Sequence, residues 1–365
     1  MKRLKFIFVI TLTFLSIFSV VAQSKIENVI FITTDGLRWQ EVFKGIDMEI
    51  VNNPKFNQGD SLGILKKYDA SNIEDRRKKL MPFLWETIQH QGQIFGNRSY
   101  GCNVNVSNPH WFSYPGYSEI FTGNVDESIN SNKYPPNPHT NFLEFLNKKT
   151  NFKGSVAAFG AWDAFDRILN ESRSGFPVVS GFDNCGGDNP DAEQQMLNTL
   201  KNDSYNFNVE ALDVFTHYAA LDYLKKKQPK ALYISYGETD EFAHEGAYKS
   251  YLNSANKVDK WLGEIWNYIQ STPKYKNKTL MFITVDHGRG DGKNSEWTSH
   301  NSKINGSDQI WFAILGPTIL PKGEIKENVQ IFQKQFAQTI TKLLGYTFTC
   351  EHPVANDFID VLNQK

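Results

Sequence analysis

Five short apolar segments alternate with segments of helical spacing along this chain, and this alternation constrains the fold more than any other feature. The apolar segments read NVIFITTDG (28–36), GSVAAFG (154–160), ALYISYGETD (231–240), TLMFITVDHG (279–288) and QIWFAILG (309–316). Their nearly continuous apolar stretches predict strands that are buried on both faces. Helical patterns at 81–92, 208–228 and 247–270 lie among them. The sequence therefore predicts an α/β fold, with a mostly parallel central sheet and helices on both faces.

The first 22 residues have the pattern of a secretory signal peptide. Three basic side chains among residues 2–5 precede an apolar run from Phe6 to Val21, and small residues lead up to Ala22. This pattern predicts cleavage after Ala22 and an exported, periplasmic or extracellular protein. An uncleaved anchor helix is the alternative. No later segment is long and apolar enough to predict a stable membrane span after cleavage.

The rest of the chain, 23–365, is predicted to be a single catalytic domain. The regions 40–80 and 100–140 contain many Asn, Pro and Gly residues, and we interpret them as loop-rich insertions around the mouth of that domain. Charge is almost balanced, with 39 Lys and Arg against 40 Asp and Glu. This balance argues against a nucleic-acid polymer as partner.

The three cysteines give a further expectation. Cys102, Cys185 and Cys350 contain no CxxC pair, so a cysteine-based zinc site is not predicted. In an exported protein one disulfide with one odd thiol is expected.

Three of the predicted strands end in an aspartate. Asp35 follows the first strand, Asp240 the third and Asp286 the fourth. One such residue is ordinary in a turn or a helix cap. Because parallel strands bring their carboxyl ends to one edge, these three carboxylates should meet there, where ligands bind in such sheets. A cation would relieve their mutual repulsion.

Histidines accompany these aspartates. His244 lies one helical turn after Asp240, His287 directly follows Asp286, and His300 lies in the segment EWTSH. Imidazole and carboxylate ligands suit zinc, manganese or iron better than calcium. We expect Gly288 and Gly290, after the Asp-His pair, to permit a bend that turns both side chains to one side.

A candidate nucleophile lies in the segment NPHWFSYPGYSEIFTGN (108–124). Pro115 favours a first helical turn and Gly123 a helix end, which places Ser113 just before the helix. A plain capping serine is the alternative. The amide groups at a helix start also favour an anion there. With Ser113 as alkoxide, the cluster carries four negative charges, which two divalent cations would balance, and two metals could activate the serine and stabilise a leaving oxygen.

This ordered set of motifs resembles the alkaline phosphatase superfamily, in its nucleotide pyrophosphatase/phosphodiesterase-like branch. TTDGLRW, SYPGYSEIFTG, GETDEFAH, TVDHGRG and EWTSH occur in that family's order. The resemblance implies an alkaline-phosphatase-like fold, with one metal bound by Asp240, His244 and His300 and the other by Asp35, Asp286, His287 and Ser113. Zinc is the usual metal of that branch, and manganese fits the same ligands. It also implies attack by Ser113 on phosphorus, and a phosphoseryl intermediate that water hydrolyses.

The chain departs from the family patterns at two positions. The phosphodiesterases have an asparagine where this chain has Gly116, and sulfatases have an arginine where it has Tyr117. The first departure removes the side chain that helps to hold the phosphoryl oxygens in the phosphodiesterases, and it counts against a diester substrate. The choice between monoesters and diesters is open, with Asn105, Asn108 or Arg289 as substitutes for the asparagine. The second argues against a formylglycine sulfatase. Asn108, His110 and Arg289 are predicted substrate contacts, and a surface charge is the alternative for Arg289.

The sequence thus predicts an exported two-metal hydrolase of a small-molecule phosphate mono- or diester. Two other functions are open. The first is a non-catalytic, metal-stabilised binding protein on the same fold. The second is a transferase that passes the phosphoryl or phospho-alcohol group to an acceptor other than water.

Overall fold

A computed structural model of the chain describes residues 26–205, 207–291 and 296–364. The predicted signal peptide, 1–22, lies outside these residues. Within them, no helix has the length and apolar character that crossing a membrane requires. The strands are β1 Asn28–Thr34, β2 Gly92–Phe95, β3 Cys102–Asn105, β4 Val156–Gly160, β5 Val178–Ser180, β6 Ala231–Tyr236, β7 Thr279–Thr284, β8 Gln309–Ile310, β9 Phe312–Leu315, β10 Gly323–Glu324 and β11 Val329–Phe332.

Eight of these strands form one mixed sheet in the order β10-β2-β9-β7-β1-β6-β4-β5. The five strands from β7 to β5 run parallel, whereas β9 is antiparallel to both β7 and β2. Strands β11, β3 and β8 form a second, small sheet. The prediction of a mostly parallel central sheet is confirmed, and β1, with its aspartate, lies between the other two strands that lead to aspartates.

The helices are α1 Trp39–Lys44, α2 Met48–Val51, α3 Ser61–Tyr68, α4 Ile73–Leu80, α5 Gln89–Gln91, α6 Ser113–Thr122, α7 Phe142–Asn147, α8 Phe165–Ile168, α9 Glu171–Ser174, α10 Ala192–Asn202, α11 Asp213–Lys227, α12 Glu238–His244, α13 Tyr248–Ser271, α14 Phe336–Leu343 and α15 Ile359–Asn363. A π-helix, Leu84–Ile88, leads directly into α5.

Helices cover the central sheet on both faces, as predicted. Phe31 of β1 contacts Phe121 of α6 and Phe142 of α7, with ring centroids 5.8 Å apart in both pairs. Tyr233 of β6 is beside Phe31 in the same layer. Since side chains alternate along a strand, Tyr236 faces the other way, and there it packs on α11 and α13.

The region 40–80 contains four helices, so the prediction of a loop-rich insertion there was wrong. Polar residues that suggested loops are N-caps: Asp47 accepts from the amides of Glu49 and Ile50, and Asp60 accepts from that of Gly63. Aspartate is typical both of loops and of helix N-caps, where it accepts hydrogen bonds from the free amides. The sequence alone therefore does not distinguish the two. Strands β2 and β3 were also not predicted, because four residues give too short a pattern.

The expected disulfide is absent, since all three cysteines lie in the described ranges as free thiols. They belong to three separate parts of the fold. Cys102 in β3 accepts a hydrogen bond from the Gly96 amide, Cys185 lies against Asn198, and Cys350 lies in the C-terminal segment. Their different surroundings explain why no pair forms.

A buried histidine supports the strand that leads to Asp240. The ring of His217 in α11 stacks on Trp261 at 4.6 Å, and its Nδ1 lies 2.9 Å from the Tyr236 hydroxyl at the end of β6. Burial lowers the pKa of His217 to about 3, and the nearby Lys225 and Lys260 add to this shift. The half-exposed Glu264 carboxylate, 3.5 Å from Nε2, does not offset it.

Acid should therefore destabilise the fold through His217. The unfolded state, with a histidine pKa of about 6.5, binds the proton more readily than the folded state, so stability present above about pH 6.5 is lost as the pH falls toward 3. We expect the melting temperature to fall less steeply between about pH 7 and pH 5 in His217→Gln than in the wild type. Thermal denaturation across this range measures the difference, and equal slopes would contradict the assignment.

Candidate active site

The three predicted aspartates gather at one edge of the central sheet. Asp35 directly follows β1, Asp286 lies two residues beyond β7, and Asp240 is in the first turn of α12, just after β6. These three strands are neighbours in the sheet, and all three carboxylates are buried. The parallel strand ends therefore bring the three carboxylates together, as expected.

Asp35, Asp286, His287 and Ser113 form a first cluster around one ring nitrogen. His287 Nε2 lies 3.3 Å from Asp35 Oδ1 and 3.4 Å from Asp286 Oδ2. It also lies 3.4 Å from Ser113 Oγ. Ligands in a tetrahedral zinc site with bonds of 2.0–2.1 Å are about 3.3 Å apart. The spacing of this cluster is therefore that of ligands around one small cation.

Two carboxylate oxygens in the first cluster are buried without a hydrogen-bond donor. Among the residues that the structure describes, none donates a hydrogen bond to Asp35 Oδ1 or Asp286 Oδ2. Their other oxygens are engaged, by the Tyr117 hydroxyl at 3.0 Å and the Gly36 amide at 3.3 Å, respectively. An unpaired buried carboxylate oxygen is costly, and a cation would satisfy both. These residues therefore fit a metal site.

Backbone carbonyls orient the histidines of this edge. His287 Nδ1 lies 2.8 Å from the Gly288 carbonyl, and His300 Nδ1 lies 3.3 Å from that of Trp111. A proton on each Nδ1 leaves Nε2 with its lone pair directed at the clusters, as in metal-binding histidines. Trp111 has φ of 57°, a strained conformation for a bulky residue.

Asp240, His244 and His300 form a second cluster. His244 Nε2 lies 3.1 Å from Asp240 Oδ2 and 3.0 Å from His300 Nε2. His300 Nε2 lies 3.7 Å from Asp240 Oδ1, and its ring stacks on that of His287 at 3.8 Å. This contact joins the two clusters into one site. All seven predicted ligands are thus brought together.

Arg289 makes the two clusters electrostatically different. It is buried, with 1% of its surface exposed, and its Nη1 donates to Asp240 Oδ1 while Nε donates to the Trp297 carbonyl. Burial opposes ionisation of Asp240, but the guanidinium and then His244 hold its pKa well below the usual range. The alternative of a surface charge is wrong, whereas a substrate contact through Arg289 stays a prediction.

In the first cluster, the shift of the aspartate pKa has the opposite direction. Burial, and then the Asp35 carboxylate, raise the pKa of Asp286 well above its usual range. Burial lowers the pKa of His287, but the carboxylates of Asp286 and then Asp35 outweigh burial and raise this pKa to about 9. Both shifts favour protons on these buried groups in the absence of a metal. A divalent cation would replace them, which makes metal binding in this cluster pH-dependent.

Ser113 is the first residue of α6, rather than the residue before it. Phe112 is the N-cap, and it offers no side-chain cap bond. The Tyr114 amide donates to Asn132 and Pro115 has no amide hydrogen, so the helix start offers fewer free amides to an anion than predicted. The capping alternative for Ser113 is therefore wrong, and its hydroxyl faces His287 instead.

Close packing explains why this chain has glycine at 116. A Cβ added there would lie 2.4 Å from the carbonyl oxygen of Asp286 and 3.1 Å from its carbon. Helix α6 thus touches the backbone of a predicted ligand, and the asparagine of the phosphodiesterases would not fit this backbone. Gly288 also serves close packing: its Cβ would lie 2.3 Å from the Gln309 carbonyl oxygen. Its φ is not positive, so our expected reason for that glycine was wrong.

We expect Gly116→Ala to destabilise the fold by about 1–3 kcal/mol, because the methyl group must displace backbone. It should also lower activity, since α6 carries Ser113. Gly263→Ala in α13 is the control, because its Cβ would meet only the Phe83 side chain, at 3.2 Å. Thermal unfolding measures both variants. Equal melting temperatures for the two variants would contradict the conclusion that the close contact between α6 and the Asp286 backbone requires glycine at 116.

The remaining predicted contacts point elsewhere. Asn108 donates to Glu119 at 2.9 Å and accepts from the amides of His110 and Trp111, so its side chain shapes the loop. His110 Nε2 lies 2.8 Å from the Glu127 carbonyl. The described contacts bring neither side chain to the clusters. Their roles as substrate contacts stay predictions, and these contacts do not favour them.

Sequence reasoning missed the role of Tyr117. Its side chain is fully buried, and its hydroxyl donates to Asp35 Oδ2 and contacts Ser235 Oγ at 3.1 Å. It therefore orients one predicted ligand. The signal was available in the sequence, since Tyr117 follows Ser113 by one helical turn and should lie on the same face.

Fold and site together define an enzyme of the alkaline phosphatase superfamily. A family model described as Sulfatase matches residues 27–346, and the chain belongs to that family. Members of this superfamily are metal-dependent, in agreement with the clusters described above. The branch within the superfamily that the sequence suggested stays a prediction.

Individual relatives are distant. The chain is 24% identical over 322 residues to a 2,3-bisphosphoglycerate-independent phosphoglycerate mutase of Gracilaria tenuistipitata var. liui, an alignment that covers 84% of this chain and 59% of the relative. The chain thus spans about three-fifths of that protein. Among solved structures, the lipoteichoic acid synthase LtaP of Listeria monocytogenes is similar, with a TM-score of 0.59, 14% identity, and coverage of 93% and 76% of the two chains.

A protein of the alkaline phosphatase superfamily from Vibrio parahaemolyticus is also similar, with a TM-score of 0.50 and 14% identity. That match covers 88% of this chain and 67% of the other. At these identities the likeness shows the shared fold. The choice of substrate must be argued from this chain's own residues.

Proposed function

We propose that this chain hydrolyses phosphate esters of small molecules, with Ser113 as the nucleophile and two divalent cations as cofactors. One observation carries the proposal. Ser113 Oγ lies 3.4 Å from His287 Nε2, in a buried cluster where two carboxylate oxygens have no donor among the described residues. A hydroxyl placed among such ligands is a candidate for activation.

The first cluster would hold one cation through Asp35, Asp286, His287 and Ser113, and the second would hold another through Asp240, His244 and His300. The donor set favours zinc, with manganese as the other candidate. Bound cations lower the pKa of a hydroxyl and stabilise negative charge on phosphoryl oxygens. The unpartnered oxygens favour the first site most, since Arg289 already compensates Asp240.

The chain's own residues then account for a two-step reaction. Ser113 Oγ attacks phosphorus, the bond from phosphorus to the leaving oxygen breaks, and the leaving alcohol takes up a proton. Water then attacks the phosphoseryl group, Ser113 Oγ leaves and takes up a proton, and the product is phosphate from a monoester or a phosphomonoester from a diester. Tyr117 keeps Asp35 in place during both steps, and the close contact of α6 with the Asp286 backbone fixes the position of Ser113.

Phosphate is favoured over sulfate by the residue one turn after Ser113. The sulfatase pattern places an arginine where this chain has Tyr117, and here that position is fully buried and bonded to Asp35. A tyrosine there supplies a ligand contact and no positive charge. Monoesters and diesters are equally compatible with Gly116, which adds no side chain to the site.

Paired substrates test the proposal. We would measure turnover of p-nitrophenyl phosphate, bis-p-nitrophenyl phosphate and p-nitrophenyl sulfate, before and after metal removal with a chelator. The expected result is hydrolysis of a phosphate ester that chelation abolishes and added zinc or manganese restores. Hydrolysis of the sulfate ester alone would contradict the choice of substrate class.

The same assay separates the alternative functions. A non-catalytic binding protein would bind metal and turn over none of the esters. A transferase would release p-nitrophenol and transfer the phosphoryl or phospho-alcohol group to an added alcohol, which product analysis by mass spectrometry detects. With water as the acceptor, we expect inorganic phosphate or the free phosphomonoester as the product.

We also infer that the chain is exported and that the predicted segment 1–22 is removed. The basic start, the apolar run and the small residues before Gln23 support this inference. Mass spectrometry of the protein from cells of its source should find a mature N-terminus at Gln23 outside the cytoplasm. A retained N-terminal methionine would contradict it.

A further inference from the structure

A group of metal-binding side chains lies outside the active site, where the C-terminal segment meets the loop after α6. His139 belongs to that loop, and Cys350, Glu351 and His352 belong to the C-terminal segment. Ligand atoms of His139, Glu351 and His352 lie within 4.8 Å of one another. The thiol of Cys350 is 3.1 Å from His352 Nε2. His139 is far in sequence from the other three, which are consecutive, and the fold brings the two segments together.

We propose that these four residues bind a structural zinc ion that ties the C-terminal segment to the loop. Two imidazoles, one thiolate and one carboxylate are ligands that zinc prefers. None of the four belongs to the two clusters that contain Ser113. The proposal is therefore independent of the catalytic function.

One nitrogen of each imidazole contacts an oxygen that would support the ring, and the other nitrogen is the candidate ligand. His139 Nε2 lies 2.7 Å from the Asp126 carboxylate, so Nδ1 is the free nitrogen of that ring. His352 Nδ1 lies 3.0 Å from the Pro353 carbonyl, which leaves Nε2 toward Cys350. A carboxylate or carbonyl bonded to the far ring nitrogen is the usual support of a zinc-binding histidine.

The other two ligands need small changes to accept a cation. Glu351 already accepts from the Thr140 amide and hydroxyl at 2.8 Å, and a carboxylate that accepts two such bonds keeps lone pairs for a metal. His352 Nε2 also lies 2.9 Å from the Thr140 carbonyl, and zinc would replace that bond. Burial raises the pKa of Cys350, so zinc binding would release its proton.

Such a zinc ion would brace the loop that covers the nucleophile helix. In that loop, Pro135 accepts from the Tyr114 hydroxyl at 2.7 Å, and Asn137 donates to Ser118 at 2.9 Å. The C-terminal segment reaches the other end of α6, where the Ala355 amide donates to the Gly123 carbonyl at 2.9 Å. Zinc would therefore join two segments that both contact α6.

Cobalt substitution tests this site separately from the active site. A thiolate bound to Co²⁺ gives a charge-transfer band in the near ultraviolet, and the active-site clusters contain no cysteine. We would titrate the metal-free, full-length protein with Co²⁺ and record this band. The expected result is a band that saturates near one equivalent per chain, disappears in Cys350→Ser and His139→Gln, and remains in Cys102→Ser.

Zinc should displace the cobalt and remove the band. Zinc should also raise the melting temperature of the wild type more than that of Cys350→Ser. For each protein, the rise is measured from the melting temperature of its own metal-free form. A wild-type protein with no thiolate band, or a band that survives Cys350→Ser, would overturn the proposal. Circular dichroism checks that each variant is folded. If Cys350→Ser does not fold, the result for His139→Gln decides the test.

Discussion

Replacing Ser113 with alanine is expected to lower kcat on a phosphate ester by at least about 1,000-fold, because the attacking oxygen is lost. The bound metal should decrease little, since Asp35, Asp286 and His287 keep their places. Initial rates at saturating ester, together with metal analysis of the same samples, measure both effects.

Ser118→Ala is the matched control for this variant. Ser118 lies on the same helix, is buried, and accepts a hydrogen bond from Asn137, which is not a residue of either cluster, at 2.9 Å. Its loss should reduce stability slightly and leave kcat within a few-fold of the wild type. Equal loss of activity in both variants would mean that damage to α6, rather than loss of a nucleophile, explains the result.

The second large effect is expected for His287→Ala. Its Nε2 lies within 3.4 Å of Asp35, Asp286 and Ser113, so the substitution should remove the cation of the first cluster. We expect a loss of one metal equivalent and a fall in kcat of at least about 1,000-fold. Metal analysis and rate measurements on the same preparation test this.

His90→Ala, at an exposed position in α5, is the control for a histidine outside the clusters. It should keep the metal content and rate of the wild type. A His287→Ala protein that keeps its full metal content would mean that the first cluster does not hold the cation. Folding of the variant is checked separately, because two buried carboxylates would then lack a partner.

The strand ends were predictable from sequence because their signal is local. Each aspartate directly follows an apolar run, and parallel strands place such residues at one edge without any knowledge of side-chain contacts. The adjacency of Asp286 and His287, which is unusual within a strand, is explained by the end of β7 at Thr284. The same reasoning located His244 one turn after Asp240.

Other features depended on contacts between distant segments, and the sequence did not predict them. The need for Gly116 arises from the Asp286 backbone, and the position of Arg289 arises from Asp240. Both partners are far away in the chain, so no local pattern marks them. Asp60 shows a second reason why a prediction can fail. Its signal is local, but an aspartate in a helix cap and an aspartate in a loop look the same in the sequence.

The most direct test of the account is the mass of the protein itself during turnover. We would mix the metal-loaded enzyme with a phosphate ester, quench in acid, and locate any covalent modification by peptide mass spectrometry. We expect one phosphoryl or phospho-ester group on the peptide that contains Ser113, and none on the same peptide of Ser113→Ala. Rapid turnover with no modification, or modification at another residue, would contradict it.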